Sequence, residues 1–267
     1  MSYPLGGTQT ELQRLLAQAE VYEPESNWLL DQCGIQPGWH AVDVGCGPIG
    51  ILNLLSQRVG PQGSVVGLER EPRFVEMAHA EIAKRGLSNV RVVQADALNT
   101  GLKKNAYDLV HERLVLINVP ARDAFLAEML SLLRPGGTLV LADVDNVSWL
   151  CQPPHPSWDV LLNAFHTVFR GSGGDGFIGR RLPALLRGAG VQHVQVNVTV
   201  ATPKPDDYRR THLISLIDSV RDKVIAGGLV GESELDEHRE ALLRHLNDPT
   251  TVVIDKLFVQ SWGRKPG

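Results

Sequence analysis

The sequence predicts an α/β chain organised around a parallel, doubly wound sheet, and three observations predict it. Apolar strand-like runs, AVDV at 41–44, SVVGL at 64–68 and VRVVQ at 90–94, alternate with stretches whose apolar residues recur at helical spacing. A glycine-rich turn, GCGPIG at 45–50, joins the first run to its helix. The run TLVLADV at 138–144 reads as a strand covered on both faces, as a parallel sheet requires.

The elements follow in order. A turn-forming cluster, Tyr3 to Gly7, precedes Leu12, Leu15, Leu16 and Ala19 at helical spacing, with Thr10 as the expected N-cap of an amphipathic helix. After the strand at 41–44 comes a helix over 49–58 that ends before Gly60-Pro61. The strand at 64–68 leads to a helix over 72–85, opened by Pro72 and closed by Gly86, and then to the strand at 90–94. YDLVH at 107–111 is the fourth strand, a helix spans about 120–133 until Pro135-Gly136-Gly137 stops it, and TLVLADV is the fifth strand. Further on, GRRLPALLRGAG at 179–190 ends in glycines like a crossover helix, VQVNVTV at 194–200 alternates like a half-exposed strand, and TVVIDKLFVQSW at 251–262 reads as one strand. Two stretches, 146–176 and 205–247, fall outside this pattern. The second carries Leu213, Ile217, Val220 and Val224 at helical spacing, then a helix opening near Ser233 with Leu242, Leu243 and Leu246. Both are expected to be helical cap insertions, with 1–35 as an N-terminal helical lid, 36–145 as the cofactor-binding core, and 177–204 and 248–267 as the rest of the core of one domain.

Composition narrows the function classes. The 267 residues are 43% hydrophobic and 21% charged, the balance of a globular protein. A net charge of -4 provides no basic field for phosphates, so nucleic acid is not an expected partner. No run of about eighteen apolar residues could span a bilayer, and the N-terminus lacks a basic-then-apolar leader, so a cytoplasmic, non-membrane protein is expected. Cys33, Cys46 and Cys151 are widely spaced and odd in number, which fits free thiols and implies no metal site.

The glycine turn carries the chemistry. Asp43-Val44-Gly45-Cys46-Gly47-Pro48-Ile49-Gly50 has the literal form GxGxxG, which by itself says only that a ligand or another backbone comes close. Glu69, about twenty residues on at the end of the second strand, sits where a carboxylate accepts the hydroxyls of an adenosine ribose. Charge selects the cofactor. Asp43 stands two residues before the first glycine and no Lys or Arg lies between 41 and 56, so a pyrophosphate would be repelled while an ammonium or sulfonium would be attracted. Asp96, just after the third strand, adds an acceptor for an exocyclic adenine amine.

VDVGCGPIG, the acid in VVGLER, QADA, YDLVHERLVL and LLRPGGTLVLADV together resemble the successive motifs of the class I S-adenosylmethionine-dependent methyltransferases, over about residues 15–145. The resemblance implies a Rossmann-like seven-stranded sheet with its last strand antiparallel. It implies that Gly45, Gly47 and Gly50, with Cys46 between them, line the methionine part of S-adenosylmethionine, that Glu69 binds the ribose, and that Asp96 with Ala97 holds the adenine. Arg70 would flank the adenosine, while Glu112 and Arg113 would lie beside the methionine moiety. GRRLPALLRGAG and the closing WGRKP look like the branch that methylates small metabolites and natural products, in which an N-terminal aromatic often covers the cofactor. That nominates Tyr22, which could equally be a packing residue.

A small-molecule acceptor is therefore expected under a cap rich in Trp149, Trp158, Leu161, Leu162, Phe165 and Phe169, side chains that could also simply pack the cap. For in-line methyl transfer, orientation can supply roughly 7–11 kcal/mol and a general base roughly 3–5 kcal/mol, so a base is optional. The candidates are His111, His155 and His166. Oxygen, nitrogen and carbon acceptors all remain open, and the apolar faces of 205–247 could form a homo-oligomer contact instead of a cap. Three rivals stand beside this reading: a non-methylating rearrangement on the same fold, a scaffold protein, and an NAD-dependent oxidoreductase. The last would need a Tyr with Lys four residues later, yet Tyr3, Tyr22, Tyr107 and Tyr208 are followed at that spacing by Gly7, Ser26, His111 and His212.

Overall fold

A computed structural model describes the backbone of residues 9–267 and the side chains from Arg14 onward. The turn cluster Tyr3 to Gly7 and the side chains of Thr10 and Leu12 lie outside these described residues. In chain order the elements are α1 (Gln9–Val21), α2 (Glu23–Gln32), β1 (His40–Val44), α3 (Leu52–Val59), β2 (Ser64–Glu69), α4 (Pro72–Arg85), β3 (Val90–Gln94) and β4 (Tyr107–Arg113). There follow α5 (Arg122–Leu132), β5 (Leu133–Asp145), β6 (Leu150–Gln152), α6 (Pro156–Gly171), α7 (Leu182–Gly188), β7 (Gln192–Thr199), α8 (His212–Ala226), α9 (Glu232–Asn247), β8 (Val252–Ile254) and β9 (Leu257–Arg264).

Seven strands form one sheet in the order β3-β2-β1-β4-β5-β9-β7. The pairs β2·β3, β1·β2, β1·β4 and β4·β5 are parallel, and β9 runs antiparallel to both β5 and β7, so the last strand of the chain is the reversed one. The chain winds outward from β1 to β3 and then returns to β4. This reversal opens a crevice at the carboxyl ends of β1 and β4, where open α/β sheets bind ligands. Val42, Val44, Val110, Leu139 and Leu141 pack one face of the sheet against α5 and α7, while Ala41, Val65, Leu109 and Val140 pack the other against α2, α3 and α4.

Three elements differ from the sequence expectation, each for a local reason. The first helix after β1 begins at Leu52, not at 49, because Gly50 has φ 48°, a left-handed angle that a right-handed helix does not admit. Pairing of β5 starts at Leu133, ahead of the Pro-Gly-Gly stop, and the Gly136 N–H then donates to Lys265 O while the Lys265 N–H donates to Gly137 O. The run 251–262 is two strands. It breaks at Asp255-Lys256, where the Asp255 N–H donates to Ala201 O; the first half pairs with β6 in a small ribbon and the second enters the main sheet beside β5.

The stretches 146–176 and 205–247 fold together. Helix α6 packs on α8 and α9 around Trp158, Leu161, Phe165, Leu213, Ile217, Val220, Leu242 and Leu246. Each such fully buried large apolar side chain contributes roughly 1.5–3 kcal/mol. The apolar faces of 205–247 are thus covered within the chain. Buried Arg210 fixes the far end of α9 by donating to the carbonyls of Leu246, Asp248 and Thr251. Among the described residues no helix is long and apolar enough to cross a membrane.

Candidate active site

The glycine turn is tied to β2, since the N–H groups of Gly45 and Cys46 both donate to Leu68 O, at 2.7 and 2.9 Å. Gly45, Gly47 and Gly50 have φ of 71°, 54° and 48°. A Cβ at Gly45 would clash with Val115 Cγ2, and one at Gly50 would stand 2.6 Å from Asp43 Oδ2 and 2.7 Å from Cys46 O. At Gly47 it would meet nothing within 4 Å, so the space above that residue is open.

Asp43 is buried at the base of the turn, where Oδ1 accepts from His111 Nδ1 at 2.7 Å and Oδ2 from the Ile51 N–H at 3.4 Å. The carboxylate is therefore held in one orientation and is not the lone charge that the sequence suggests. Glu69 is held too: Oε1 accepts from the N–H groups of Arg70 (2.7 Å) and Glu71 (2.8 Å), and Oε2 from Gly47 N–H at 3.0 Å. Burial pushes its carboxyl above the ordinary value, and the three backbone donors pull it partly back. A carboxylate has about four acceptor positions, so one remains, on Oε2. Asp96 Oδ1 accepts from Leu98 N–H at 2.8 Å, leaving Oδ2 without a protein donor among the described residues. Burial raises the Cys46 thiol well above its ordinary range, so it is a packing group and no nucleophile.

A cavity of about 420 Å³ runs from this turn to the cap. Asp43, Gly47, Glu69 and Asp96 line it at the carboxyl ends of the strands; Arg70 and Ala97 flank them, and Tyr22 and Arg113 close one side. Tyr22 packs its ring 4.4 Å from that of Phe258, and Arg113 donates to Ser26 Oγ at 2.8 Å. Across the cavity stand Trp149, Phe165, Phe169 and Leu216 from the cap. Trp149, Phe165 and Phe169 do both things that the sequence allowed, since they also pack the cap's own core, whereas Trp158, Leu161 and Leu162 only pack it.

Of the nominated cofactor-binding and catalytic residues, Glu112, His111, His155 and His166 do not line this cavity. Glu112 is fully buried, and its carboxyl accepts from the N–H groups of Val115, Leu116 and Ala142, which anchors the loop after β4. Burial raises it to about 7, and the neighbouring buried Asp143, which accepts from Ile117 N–H, is raised as well. Between these anchors Leu114 is held at φ 61°, a strained angle for a residue with a Cβ, on the cavity wall. His111 lies under the turn, 1% exposed and committed to Asp43. His155 caps α6 by accepting from Ser157 N–H and stacks on His245. His166 contacts Asn146 Nδ2 and lines a second cavity with Asp175 and Phe177.

The structure also brings in residues that the sequence did not single out: Arg14, Asn146, His212 and Lys256 all line the main cavity. The one signal for Lys256 was the charged pair Asp255-Lys256 in an otherwise apolar run.

The sheet ends in a reversed last strand, the glycine turn follows β1, Glu69 closes β2 and Asp96 follows β3. Residues 35–165 match the sequence profile described as a methyltransferase domain. The demethylmenaquinone methyltransferase of Listeria monocytogenes serotype 4a (strain HCC23) is 29% identical over 131 residues, 49% of this chain and 53% of that protein. The nocamycin O-methyltransferase of Saccharothrix syringae is 34% identical over 122 residues, 46% of this chain and 44% of that one. The chain thus spans about half the length of these relatives. Among solved structures, phosphoethanolamine N-methyltransferase 2 of Haemonchus contortus, in complex with S-adenosyl-L-methionine, superposes with a TM-score of 0.56 at 15% identity. The match covers 91% of this chain and 53% of that one, and is a likeness of fold.

Proposed function

We propose that this chain transfers a methyl group from S-adenosylmethionine to a small, largely apolar metabolite. The cavity carries the proposal, because it joins the acid-lined glycine turn to an apolar cap built from the two insertions. The residues fit the donor. Space is open above Gly47, and the carboxylates of Asp43, Glu69 and Asp96 offer acceptors to a ligand whose polar groups are an ammonium, ribose hydroxyls and an adenine amine.

When bound, the donor supplies an electrophilic methyl on a positively charged sulfur. The protein's own residues bind and orient. Asp43 attracts the positive methionine end, Glu69 Oε2 takes a ribose hydroxyl, and Asp96 Oδ2 takes the adenine amine. Gly45, Cys46 and Gly50 shape the bed of the turn, while Arg70 and Ala97 flank the adenosine. Tyr22 and Arg113 cover the donor from the N-terminal side, and the cap aromatics exclude water from the acceptor. Orientation supplies the larger share of the rate, roughly 7–11 kcal/mol against roughly 3–5 kcal/mol for a base. This agrees with a cavity that none of His111, His155 and His166 lines. Relatives named for demethylmenaquinone and nocamycin support an apolar or natural-product acceptor.

Incubation with S-adenosylmethionine and a panel of apolar phenols, enols, acids and amines, read by mass spectrometry, tests this. A product heavier by one methyl together with release of S-adenosylhomocysteine is the expected result. A product of unchanged formula would replace methyl transfer with a rearrangement, and an unconsumed donor would reduce the chain to a binding protein.

A further inference from the structure

We infer that the cap end of the cavity holds an oxyanion: the His212 imidazole and the Trp149 indole donate their ring N–H groups to an ionised oxygen of the acceptor. The acceptor is then a phenolate, an enolate or a carboxylate. This inference rests on the methyltransferase reading and names its substrate class.

His212 and Trp149 are buried side by side in the cavity wall, ring centroids 5.9 Å apart. His212 Nε2 and Trp149 Nε1 have no hydrogen-bond partner among the described residues, although both atoms are buried. Buried ring nitrogens without partners are costly, and two in one cavity wall mark a place where a ligand supplies what the protein does not.

Lys256 decides which proton His212 carries. Its Nζ lies 3.0 Å from His212 Nδ1, 3.2 Å from Asp255 Oδ1 and 3.9 Å from the centroid of the Trp149 ring. An ammonium has three protons and no lone pair, and these neighbours are two acceptors and an aromatic face. Nδ1 must therefore accept, and a neutral imidazole then carries its proton on Nε2. Burial, with the charges of Lys256 and Arg14, holds the imidazole well below its ordinary range, so it stays neutral. In this state His212 is a donor and not a base.

The surroundings favour an anion. Around His212 and Lys256 stand Asp255 between β8 and β9, Arg14 on α1, and Tyr208 with the Arg209–Asp207 ion pair ahead of α8. Asp255 answers Lys256, and Arg14 also lines the cavity, whereas the acids Asp43, Glu69 and Asp96 line the end at the glycine turn. Asn146 Oδ1, also without a partner among the described residues, remains for a hydroxyl or N–H elsewhere on the acceptor.

The transfer balances without a base. The oxyanion forms the O–CH3 bond as the CH3–S bond breaks, its negative charge is lost in the new ether or ester, and the sulfonium leaves as a neutral thioether. No proton is released in the step.

The test uses the full chain labelled with 15N-histidine and saturated with S-adenosylhomocysteine, whose binding is first confirmed by calorimetry. A chain that does not bind it fails the methyltransferase reading itself. Given binding, His212 should be a neutral Nε2–H tautomer from pH 6 to 9, assigned by loss of its signal in His212→Gln. 4-Nitrophenolate should move that N–H proton downfield and bind with at least tenfold lower affinity to His212→Ala. His212→Gln, which keeps an N–H donor, should bind within threefold of the unaltered chain. An Nδ1–H tautomer, an imidazolium in that pH range, or equal 4-nitrophenolate binding by the Ala variant and the unaltered chain would overturn the inference, with donor binding intact.

Discussion

Gly47→Ala and Gly34→Ala form a matched pair that separates backbone strain from occupation of the donor site. Both glycines are left-handed, with φ of 54° and 64°, and a Cβ on either meets no atom within 4 Å. Each alanine should therefore cost only the left-handed penalty, roughly 1–2 kcal/mol. For a chain of this size that lowers the melting temperature by about 2–8 °C in both variants. They differ in place: Gly47 lines the cavity, and Gly34 is exposed in the turn after α2. The methyl of Gly47→Ala projects into the space that the methionine part of the donor would fill, so affinity for S-adenosylhomocysteine should fall at least tenfold, about 1.4 kcal/mol. Gly34→Ala should leave it unchanged. Thermal melts and calorimetric titrations of the two variants measure both quantities. Equal melting losses with equal, unaltered affinity would refute the placement of the donor on this turn, and Gly47→Val should exaggerate whichever result is found.

Other substitutions probe the surrounding structure. Glu69→Ala removes the acceptor of three backbone N–H groups and the open position on Oε2, and should weaken S-adenosylhomocysteine by about 1–3 kcal/mol; unchanged affinity would take Glu69 out of the site. Arg210→Met leaves three carbonyls unpaired, those of Leu246 and Thr251 buried, and should destabilise the fold by about 3 kcal/mol in urea unfolding, with a change under 1 kcal/mol counting against its role as the anchor of α9. Glu112 gives a pH dependence. Its folded carboxyl is raised to about 7 from an ordinary 4.5, so the unfolded chain releases the proton first as pH rises. The stability that it contributes together with the coupled Asp143 is present below about 4.5 and is lost as pH rises toward 7. Glu112→Gln should flatten the fall between those pH values, and a fall of unaltered slope would remove Glu112 as its source.

The sheet was legible because its strands and helices follow two clean periods, and α4 fell on its expected bounds since Pro72 and Gly86 punctuate it. The glycine turn and its acids were legible because their spacing is local. What escaped was long-range. Asp43 meets a His111 that lies 68 residues away, so its hydrogen-bonded setting has no local signature. Glu112 follows the fourth strand like a ligand residue, yet the N–H groups of Val115, Leu116 and Ala142 turn it inward as an anchor. The histidines were nominated by residue type alone. His212, the one that reaches the cavity, gave no sign beyond its place four residues after Tyr208, since its setting is made by Lys256, 44 residues on.

We propose that the acid-lined glycine turn selects an adenosyl ligand with a cationic amino-acid end and rejects a pyrophosphate. Paired calorimetric titrations of the unaltered chain with S-adenosylhomocysteine and with NAD test it directly. Saturable binding of S-adenosylhomocysteine, weakened in Gly47→Ala, with no binding of NAD is the expected result. Binding of NAD without S-adenosylhomocysteine would contradict the account.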